Sequence, residues 1–454
     1  MGFTTSLDFN KELVGNARDA SRSVQIQKKV SVHDGTVRSF DCVVIVCLDG
    51  GRVTVSIPQL RPIAARSVNG FPRYSPAEIA RRHAFLDEML DRHGLACVAV
   101  TGQGVVDNPL QYFTNWPGRH PSFLLYWPGG ETELIARLWN HLPNAREIAV
   151  VDDVRYGGDT HAEALARVAE SLRRRGAEGG RVGLVGGFAH WDVAAWNADL
   201  PGLRFVNLNP DFRALRRVKS AEEMEYVRAA AALCDLSLEA LREGVRPGIE
   251  ERQLQRIIED AFLGTGAQPA VTFALSTPMS DPDVCVPRQN LGDRRIQPGD
   301  AVVTEISVAY WGYTSQILRS LTVGSDPNDL YARLHQVALE RYEAIAAACR
   351  SGLRVGEILD LTEPIHEAGF TIWDDIFHGY GGGGYLSPVL RTRRTGGADV
   401  PEDTRLEEGW VVVTQPNVIT PDARAGVQVG NALLVTATGA ECLQRFPTEF
   451  VRCA

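Results

Sequence analysis

Lysine is scarce in this chain of 454 residues. Four of its 47 cationic residues are lysines (Lys11, Lys28, Lys29 and Lys219), and the rest are arginines scattered along the sequence. The 56 Asp and Glu residues outnumber them, so the formal net charge is −9. A nucleic-acid-binding domain usually carries a clustered basic surface. The composition therefore argues against a nucleic-acid partner.

Three further patterns are missing. The eight cysteines show no CxxC pair and no zinc-finger spacing, so we expect free thiols in a reducing compartment. The longest apolar run, residues 42–48, is far shorter than the ~20 residues that span a bilayer. The N-terminus lacks the basic-then-apolar pattern of a signal peptide. We therefore predict a cytoplasmic protein without a membrane partner.

The chain divides into three segments by its patterns. Residues 1–75 include two β-branched runs around Asp49-Gly50-Gly51, which predicts a β-hairpin. Residues 76–212 alternate between helical and strand patterns, which predicts a layered α/β domain. The third segment, residues 213–454, carries the motifs described below. Within the second segment we predict helices over 76–93 and 162–175, and strands over 97–100, 122–127, 147–152 and 182–186.

The third segment opens with a helix signal. Ser220 and Glu223 have the spacing of a capping box, in which each residue satisfies a backbone N–H at the start of a helix. Apolar residues then recur at alternating intervals of three and four as far as Leu241. This pattern predicts a helix that begins after Ser220 and ends at Gly244.

An internal repeat follows this helix. GVRPG at 244–248 returns as GLRVG at 352–356, and GDAVVTE at 299–305 returns as GWVVVTQ at 409–415. The two offsets are nearly equal, which indicates a duplicated helix–helix–strand unit. The repeat predicts a pseudo-twofold domain in which Glu305 and Gln415 approach a shared centre. A turn near residues 310–313 would place Gln316 on the strand beside Glu305.

Several motifs in a consistent order resemble the creatinase/prolidase/methionine aminopeptidase family, which has the pita-bread fold. They run over roughly 76–454. The motifs are YFTNW at 112–116, KSAEEMEYVRAA at 219–230, GDAVVTEIS at 299–307, GYTSQILRS at 312–320, HGYGG at 378–382 and GAECLQRFP at 439–447. The resemblance implies an α/β fold with a creatinase-like N-terminal α/β domain and a pseudo-twofold pita-bread C-terminal domain.

The resemblance also implies where metal ligands would lie. Metallopeptidases of this family hold two metal ions with two Asp, one His and two Glu. The matching positions in this chain are Glu305, Gln316, Gly382, Gln415 and Gly430. Because amides are poor metal ligands and glycine has no side chain, we expect no bound metal and no other cofactor.

Creatinase itself works without metal, through a His and two Glu. The matching positions here are Arg288, Leu318 and Gln415, so that catalytic set is absent as well. The residues left to line a pocket are Arg288, Glu305, Gln316, His378 and Gln415.

Several of these residues have more than one possible role. Arg288 could bind a substrate carboxylate, or it could form a surface ion pair. Glu305 could act as a general base, pair with a cationic group of the substrate, or form an internal ion pair with Arg288. We predict Glu305 and His378 as the catalytic proton-transfer pair, although His378 could also be a structural histidine that caps a loop. Gln316 and Gln415 could bind substrate by hydrogen bonds but cannot act as acids or bases. Tyr313 is a further candidate for substrate binding.

A last set of candidates follows from the resemblance alone. In creatinase-like homodimers the N-terminal domain of the neighbouring subunit closes the pocket. We therefore expect a homodimer, with Trp116, Arg119 and His120 as substrate-binding residues supplied in trans.

Three functions remain open at this stage. The favoured one is a metal-independent hydrolase or lyase of specialised metabolism that acts on a small amino-acid-like or carboxylated substrate by C–N cleavage, elimination, cyclisation or isomerisation. The alternative is a catalytically inactive pita-bread module that binds a peptide or protein. The missing ligands disfavour the third, an unusual metallopeptidase.

Overall fold

The computed structural model describes residues 24–25, 45–49, 52–382 and 384–454. The chain forms two compact units, residues 1–61 and 62–454. In the first unit three antiparallel strands make a small sheet: β1 (Val24–Gln25), β2 (Ile45–Asp49) and β3 (Arg52–Ser56). Asp49 pairs with Arg52, and the two glycines between them lie outside the described residues. The division at residues 75 and 212 stays a prediction.

The elements from residue 61 to residue 217 alternate between helix and strand. They are α1 (Arg61–Arg66), α2 (Pro76–His93), β4 (Cys97–Gly102), α3 (Pro109–Thr114), β5 (Ser122–Tyr126), β6 (Thr132–Ala136), α4 (Leu142–Ile148), β7 (Asp153–Tyr156), α5 (His161–Arg174), β8 (Arg181–Val185), α6 (His190–Asp199), β9 (Arg204–Asn207) and α7 (Asn209–Arg217).

A six-stranded mixed sheet organises this region, in the order β7-β6-β5-β4-β8-β9. Strands β4 to β6 pair antiparallel, and the outer pairs are parallel. One apolar cluster joins the sheet to α2, α3 and α4, and a second joins it to α5 and α6. Alternate residues of the strands enter the two clusters, as the period of a strand requires. The predicted α/β layering is confirmed.

The strand predicted over 147–152 is wrong. Helix α4 extends to Ile148, and strand β7 begins at Asp153. The apolar run was short, and periodicity does not separate a buried strand from the end of a buried helix at that length. Leu142, Ala145 and Ile148 are buried at helical spacing.

The remaining elements form the C-terminal part of the chain. They are α8 (Ala221–Gly244), α9 (Arg252–Asp260), β10 (Gln268–Pro278), β11 (Asp300–Tyr310), β12 (Tyr313–Val323), α10 (Asp329–Ala348), α11 (Val355–Asp360), α12 (Pro364–Glu367), β13 (Phe377–Gly379), β14 (Leu386–Leu390), β15 (Val411–Thr414), β16 (Asn417–Ile419), β17 (Gly426–Gln428), β18 (Gly430–Val435), β19 (Ala440–Cys442) and β20 (Val451–Cys453).

The predicted capping box at the start of α8 is present. Ser220 Oγ accepts the backbone N–H of Glu223 at 3.1 Å, and Glu223 Oε2 accepts the N–H of Ser220 at 2.8 Å. The helix ends at Gly244, as its apolar spacing predicts.

The large sheet shows the symmetry that the repeat predicts. Its main path runs β10-β11-β12-β18-β15-β13-β14, with β19 and β20 added beside β18 and β12. The two repeated segments lie on β11 and β15, which are the direct neighbours of the central pair β12 and β18. Two strands lie on one side of that pair and three on the other, so the repeated strands are in equivalent places although the two halves differ in strand number.

Two sequence predictions about the described residues can be checked here. The cysteines whose side chains the structure describes are free thiols: Cys97, Cys234, Cys285, Cys349, Cys442 and Cys453. In the part of the chain that the structure describes, no helix has the length and apolar character needed to cross a membrane.

Candidate functional site

Five neighbouring strands bring the predicted site positions to the middle of the large sheet. Glu305 lies on β11 and Gln316 on β12, while Gly430 is the first residue of β18. Gln415 directly follows β15, and His378 lies on β13. Strands β11 and β12 are buried on both faces, which suits their runs of Val, Ile and Leu. The sheet thus holds these side chains away from bulk water.

Glu305 and Gln316 contact each other as the turn geometry predicts. Gln316 pairs with Ser307 across β11 and β12, and its Nε2 donates to Glu305 Oε1 at 2.8 Å. Burial, followed by the charge of Asp374, raises the pKa of Glu305 to about 7, while the hydrogen bond from Gln316 opposes that rise. Part of the Glu305 population therefore carries a proton at neutral pH.

Gln415 and His378 form a second contact on the other half of the sheet. His378 Nε2 lies 3.3 Å from Gln415 Oε1, and its Nδ1 lies 3.1 Å from the carbonyl oxygen of Gly379. Burial lowers the pKa of His378 to about 4, so the ring is neutral at physiological pH. Desolvation disfavours the imidazolium form, so the ring at neutral pH can accept a proton but carries no positive charge. The catalytic role of His378 as a proton donor or acceptor stays a prediction.

Two acidic residues that the sequence reasoning missed belong to this centre. Asp375 is buried, and its Oδ2 lies 3.9 Å from His378 Nε2. Asp374 Oδ1 accepts the backbone N–H of Asp375 at 2.8 Å. Burial, then repulsion from Asp374 and Glu305, raises the pKa of Asp375 to about 9. The centre therefore carries three acids, Glu305, Asp374 and Asp375.

A sequence signal for this acidic pair did exist. Asp374 and Asp375 stand three to four residues before His378, in WDDIFHG at 373–379. They lie outside the family motif, which begins at His378. Their position follows from Asn417, whose Oδ1 accepts the N–H of Asp374 at 2.9 Å and whose Nδ2 donates to the carbonyl of Asp375 at 2.8 Å.

Arg288 does not join this centre. Its backbone pairs with Ala274 beside β10, and its side chain is exposed. Among the described residues it forms no ion pair with Glu305, so neither the buried anchor nor the internal ion pair is present. The physical reason is the outer position of Ala274, which lies on the strand at the edge of the sheet path.

Tyr313 is also placed elsewhere. Its hydroxyl donates to Glu223 Oε1 at 2.9 Å and accepts Arg82 Nη2 at 2.7 Å. The ring is buried against Tyr226, with ring centroids 5.4 Å apart. Tyr313 therefore ties α2 and α8 to β12, and its hydroxyl is already occupied by these two partners.

Trp116, Arg119 and His120 lie together in the N-terminal α/β region. They line a small cavity of about 60 Å³ with neighbours that include Arg137 and His141. His120 stacks on His141 with ring centroids 5.3 Å apart. Their contribution to the pocket of a second subunit stays a prediction.

The residues at the family's ligand positions do not fit a two-metal centre. A Cβ at Gly430 would lie 2.6 Å from the carbonyl oxygen of Thr414 and 2.9 Å from Gln415 Cα, so backbone fills that space. A Cβ at Gly382 would lie 3.1 Å from Nε of the buried Arg216, a cation. Within residues 52–382 and 384–454, no group of three or more His, Cys, Asp or Glu side chains is arranged to hold a metal ion.

The residues at the five ligand positions predict poor retention of metal ions. After incubation with excess Mn²⁺ or Co²⁺ and removal of free ions, we expect less than one ion per chain by elemental analysis. The reason is that amide and glycine positions replace four of the five ligands of the family. Two retained ions per chain would contradict it, and a metal-loaded prolidase treated in parallel serves as the control.

The C-terminal part of the chain is similar to known proteins. Residues 225–437 match the model of metallopeptidase family M24. The Xaa-Pro dipeptidase of Pyrococcus furiosus is 28% identical over 249 residues, which is 54% of this chain and 68% of the relative. The Xaa-Pro dipeptidase of Pyrococcus horikoshii is 24% identical over 249 residues, again 54% of this chain and 68% of the relative.

Solved structures show the same fold. The prolidase of Thermococcus sibiricus superposes with a TM-score of 0.71 at 18% identity, over 84% of this chain and 100% of that one. The Xaa-Pro dipeptidase of Bacillus anthracis gives a TM-score of 0.69 at 22% identity, over 82% of this chain and 99% of that one. The predicted fold class, an α/β domain followed by a pita-bread domain, is confirmed.

Over residues 225–437, which match the M24 family model, the resemblance to the creatinase/prolidase/methionine aminopeptidase family is confirmed. The M24 family consists of enzymes, which supports the prediction that this protein is an enzyme. The prediction of a metal-independent hydrolase or lyase for a small amino-acid-like or carboxylated substrate is wrong. The finding that overturns it is the match itself, because the family is one of metallopeptidases and the two relatives are Xaa-Pro dipeptidases.

Proposed function

We propose that this protein binds short peptides of the Xaa-Pro class at the centre formed by Glu305, Gln316, Asp375 and Gln415. Support comes first from the family match, because residues 225–437 contain all four positions. The relatives with the corresponding domain are named for Xaa-Pro dipeptides. The ligand class is therefore taken from the family, and the residues that contact it are taken from this chain.

One structural observation carries the proposal. Asp375 Oδ2 and Gln316 Oε1 are both buried and lack a hydrogen-bond partner. A buried acceptor that stays unsatisfied costs about 1–3 kcal/mol. A ligand that supplies N–H groups at this centre regains that free energy when it binds. A peptide with a free amino terminus carries such groups.

The two amides suit the rest of a peptide. Gln316 and Gln415 each have a donor and an acceptor on one side chain, which matches the alternating N–H and C=O groups of a peptide backbone. Neither side chain titrates, and neutral His378 fixes one of them through the contact at 3.3 Å. We therefore assign Gln316 and Gln415 a role in binding the peptide and not in proton transfer.

We expect Ala-Pro to raise the melting temperature in proportion to the logarithm of its concentration above Kd. A ligand at 100 times its Kd stabilises the folded state by about 2.7 kcal/mol. Thermal denaturation and isothermal titration calorimetry measure the effect, and analysis of the reaction mixture for free proline shows whether the bound peptide is cleaved.

The matched control is an equimolar mixture of free alanine and proline. It contains the same side chains without the peptide bond that would lie against the two glutamines. Equal stabilisation by the mixture would contradict peptide binding. The absence of any effect of Ala-Pro at about 10 mM, roughly tenfold above a millimolar Kd, would contradict it as well.

A further inference from the structure

We propose that the cavity beside Arg119 and Arg137, in the N-terminal α/β region, binds a phosphate group, either as free phosphate or as the phosphoryl group of a small molecule. The inference is independent of the proposed function, because none of the residues that line this cavity belongs to the large sheet. It depends on three observations: arginines without acidic partners, a frame that fixes their positions, and a match of charge and size.

The two arginines lack the carboxylate partners that other arginines of this region have. Arg173 and Arg175 are exposed, yet each forms an ion pair with an Asp or a Glu. Among the described residues no acid forms an ion pair with Arg119 or Arg137, and the lining of the cavity contains neither Asp nor Glu. Arg137 Nη2 donates to the carbonyl oxygen of Asp159 at 3.0 Å, while its Nε is buried without a partner. An anion from outside the chain would pair with both guanidinium groups.

Ser122 joins the two segments that carry the arginines. Its Oγ donates to the carbonyl oxygen of His120 at 3.2 Å and accepts the backbone N–H of Arg137 at 3.3 Å, and the side chain is fully buried. The loop before it is tightly packed, since a Cβ at Gly118 would lie 2.9 Å from Trp116 Cζ3. The backbone positions of both arginines are therefore fixed before a ligand binds, which lowers the entropic cost of binding.

Two histidines add donors at the same cavity. The rings of His120 and His141 stack with centroids 5.3 Å apart and an interplanar angle of 27°. In the part of the chain that the structure describes, no side-chain hydrogen bond occupies either ring, so each imidazole has an N–H to donate even when it is neutral. Asn144 also lines the cavity and has an amide donor. Together with the arginines, five side chains can donate hydrogen bonds to one ligand.

Charge, donor number and size favour phosphate over a carboxylate. The two arginines carry two positive charges, and a phosphoryl group carries about 1.5–2 negative charges at pH 7 on three strong acceptor oxygens. A carboxylate has one negative charge and about four lone-pair sites, fewer than the donors of these five side chains. The cavity of about 60 Å³ has room for roughly four to six water-sized groups, at about 10–15 Å³ for each. A phosphate group with its four oxygens therefore fits.

The experiment titrates the protein with inorganic phosphate by isothermal titration calorimetry, at an ionic strength held constant with sodium chloride. We expect one phosphate per chain with a Kd of about 0.1 mM, which is within the limit for so small a ligand. Arg119→Gln and Arg137→Gln should each weaken binding about tenfold, because each removes hydrogen bonds to a charged group. Arg256→Gln removes an exposed arginine elsewhere and should bind as the wild type does.

Two further ligands identify the source of the phosphate group. Glycerol 3-phosphate carries it on a small organic molecule, and sodium acetate offers a carboxylate instead. Tighter binding of glycerol 3-phosphate than of phosphate would assign the site to a phosphorylated molecule, and the reverse order would assign it to free phosphate. Acetate should bind at least about tenfold more weakly than either, because it has half the charge and fewer acceptor sites.

Three results would overturn the inference. They are the absence of phosphate binding at about 10 mM, equal phosphate affinity in the wild type and both arginine variants, and acetate binding as tight as that of phosphate. The melting temperature without phosphate shows whether each variant is folded, and Arg119 is exposed, so its replacement leaves the frame intact. Arg137→Gln should keep the affinity for Ala-Pro within about twofold of the wild type, a factor too small to reflect a lost hydrogen bond to a charged group. A tenfold loss of Ala-Pro affinity would assign the cavity to the peptide instead.

Discussion

Replacing Arg319 by Met should lower the free energy of unfolding by about 3–5 kcal/mol, because it leaves several buried acceptors without a donor. The guanidinium is fully buried at the junction of β12 and β18. It donates to the carbonyl oxygens of Leu318, Gly430, Phe446 and Pro447 at 2.6–2.7 Å and to Asn431 Oδ1 at 2.9 Å.

The size of this effect reflects the position of the side chain. Arg319 joins the two central strands of the pseudo-twofold sheet to the segment that follows β19. Burial lowers its pKa to about 10, so it remains charged at neutral pH. Methionine has a similar length but cannot donate to any of these oxygens. The loss therefore affects both halves of the domain.

Urea denaturation at pH 7 measures the change. Arg256→Met is the matched control, because that side chain is 79% exposed and its ion pair is with exposed Asp260. Exposed ion pairs contribute about 0–1 kcal/mol, so the control should stay within that range. A loss below about 1 kcal/mol for Arg319→Met would show that water replaces the guanidinium, and the structural role assigned to it would be wrong.

Asp375→Asn should stabilise the ligand-free protein at alkaline pH. The folded-state pKa of Asp375 is raised to about 9 from an ordinary value of 3.8, mainly by burial. A raised pKa means that the folded state favours the protonated acid. Its contribution to stability is therefore fully present below about pH 4 and is lost as the pH rises toward 9. Asparagine does not ionise, so the variant escapes this loss.

The predicted difference grows with pH. Since one pKa unit corresponds to about 1.4 kcal/mol, we expect the variant to be more stable than the wild type by roughly 3–5 kcal/mol at pH 8 and by less than about 1 kcal/mol at pH 4. Denaturation curves at several pH values measure it. Asp260→Asn, at an exposed acid, should follow the wild-type curve. Parallel curves for wild type and Asp375→Asn would refute the assignment.

These two predictions distinguish structural from functional burial of charge. Arg319 is buried with a full set of acceptors, so its loss destabilises the fold. Asp375 is buried where ionisation is unfavourable, so replacing it by Asn stabilises the fold at alkaline pH. A group that lowers stability in the empty protein is expected where a ligand binds. The same substitution that stabilises the protein should therefore weaken its peptide binding.

Much of the fold could be predicted because its signals are local. The Ser220–Glu223 capping box set the start of α8, and the spacing of its apolar residues set the end at Gly244. The repeat of residues 299–305 at 409–415 predicted two equivalent strands, which the structure shows as β11 and β15. Short apolar runs are weaker signals, and the strand predicted over 147–152 was wrong for that reason.

The amino-acid sequence alone was enough to show which ligand side chains are missing, since Gln316, Gly382, Gln415 and Gly430 can be identified from motifs. It could not show what replaces them. Asp375 joins Glu305 and His378 because β13 folds back beside β15 in the same sheet as β11. Arg288 and Tyr313 lie outside the centre. The sequence could not show this, because strand order and burial arise from contacts between segments that are far apart in sequence. Those contacts bring Glu305, Asp374 and Asp375 together at a centre where, among the described residues, no Lys or Arg forms an ion pair with them.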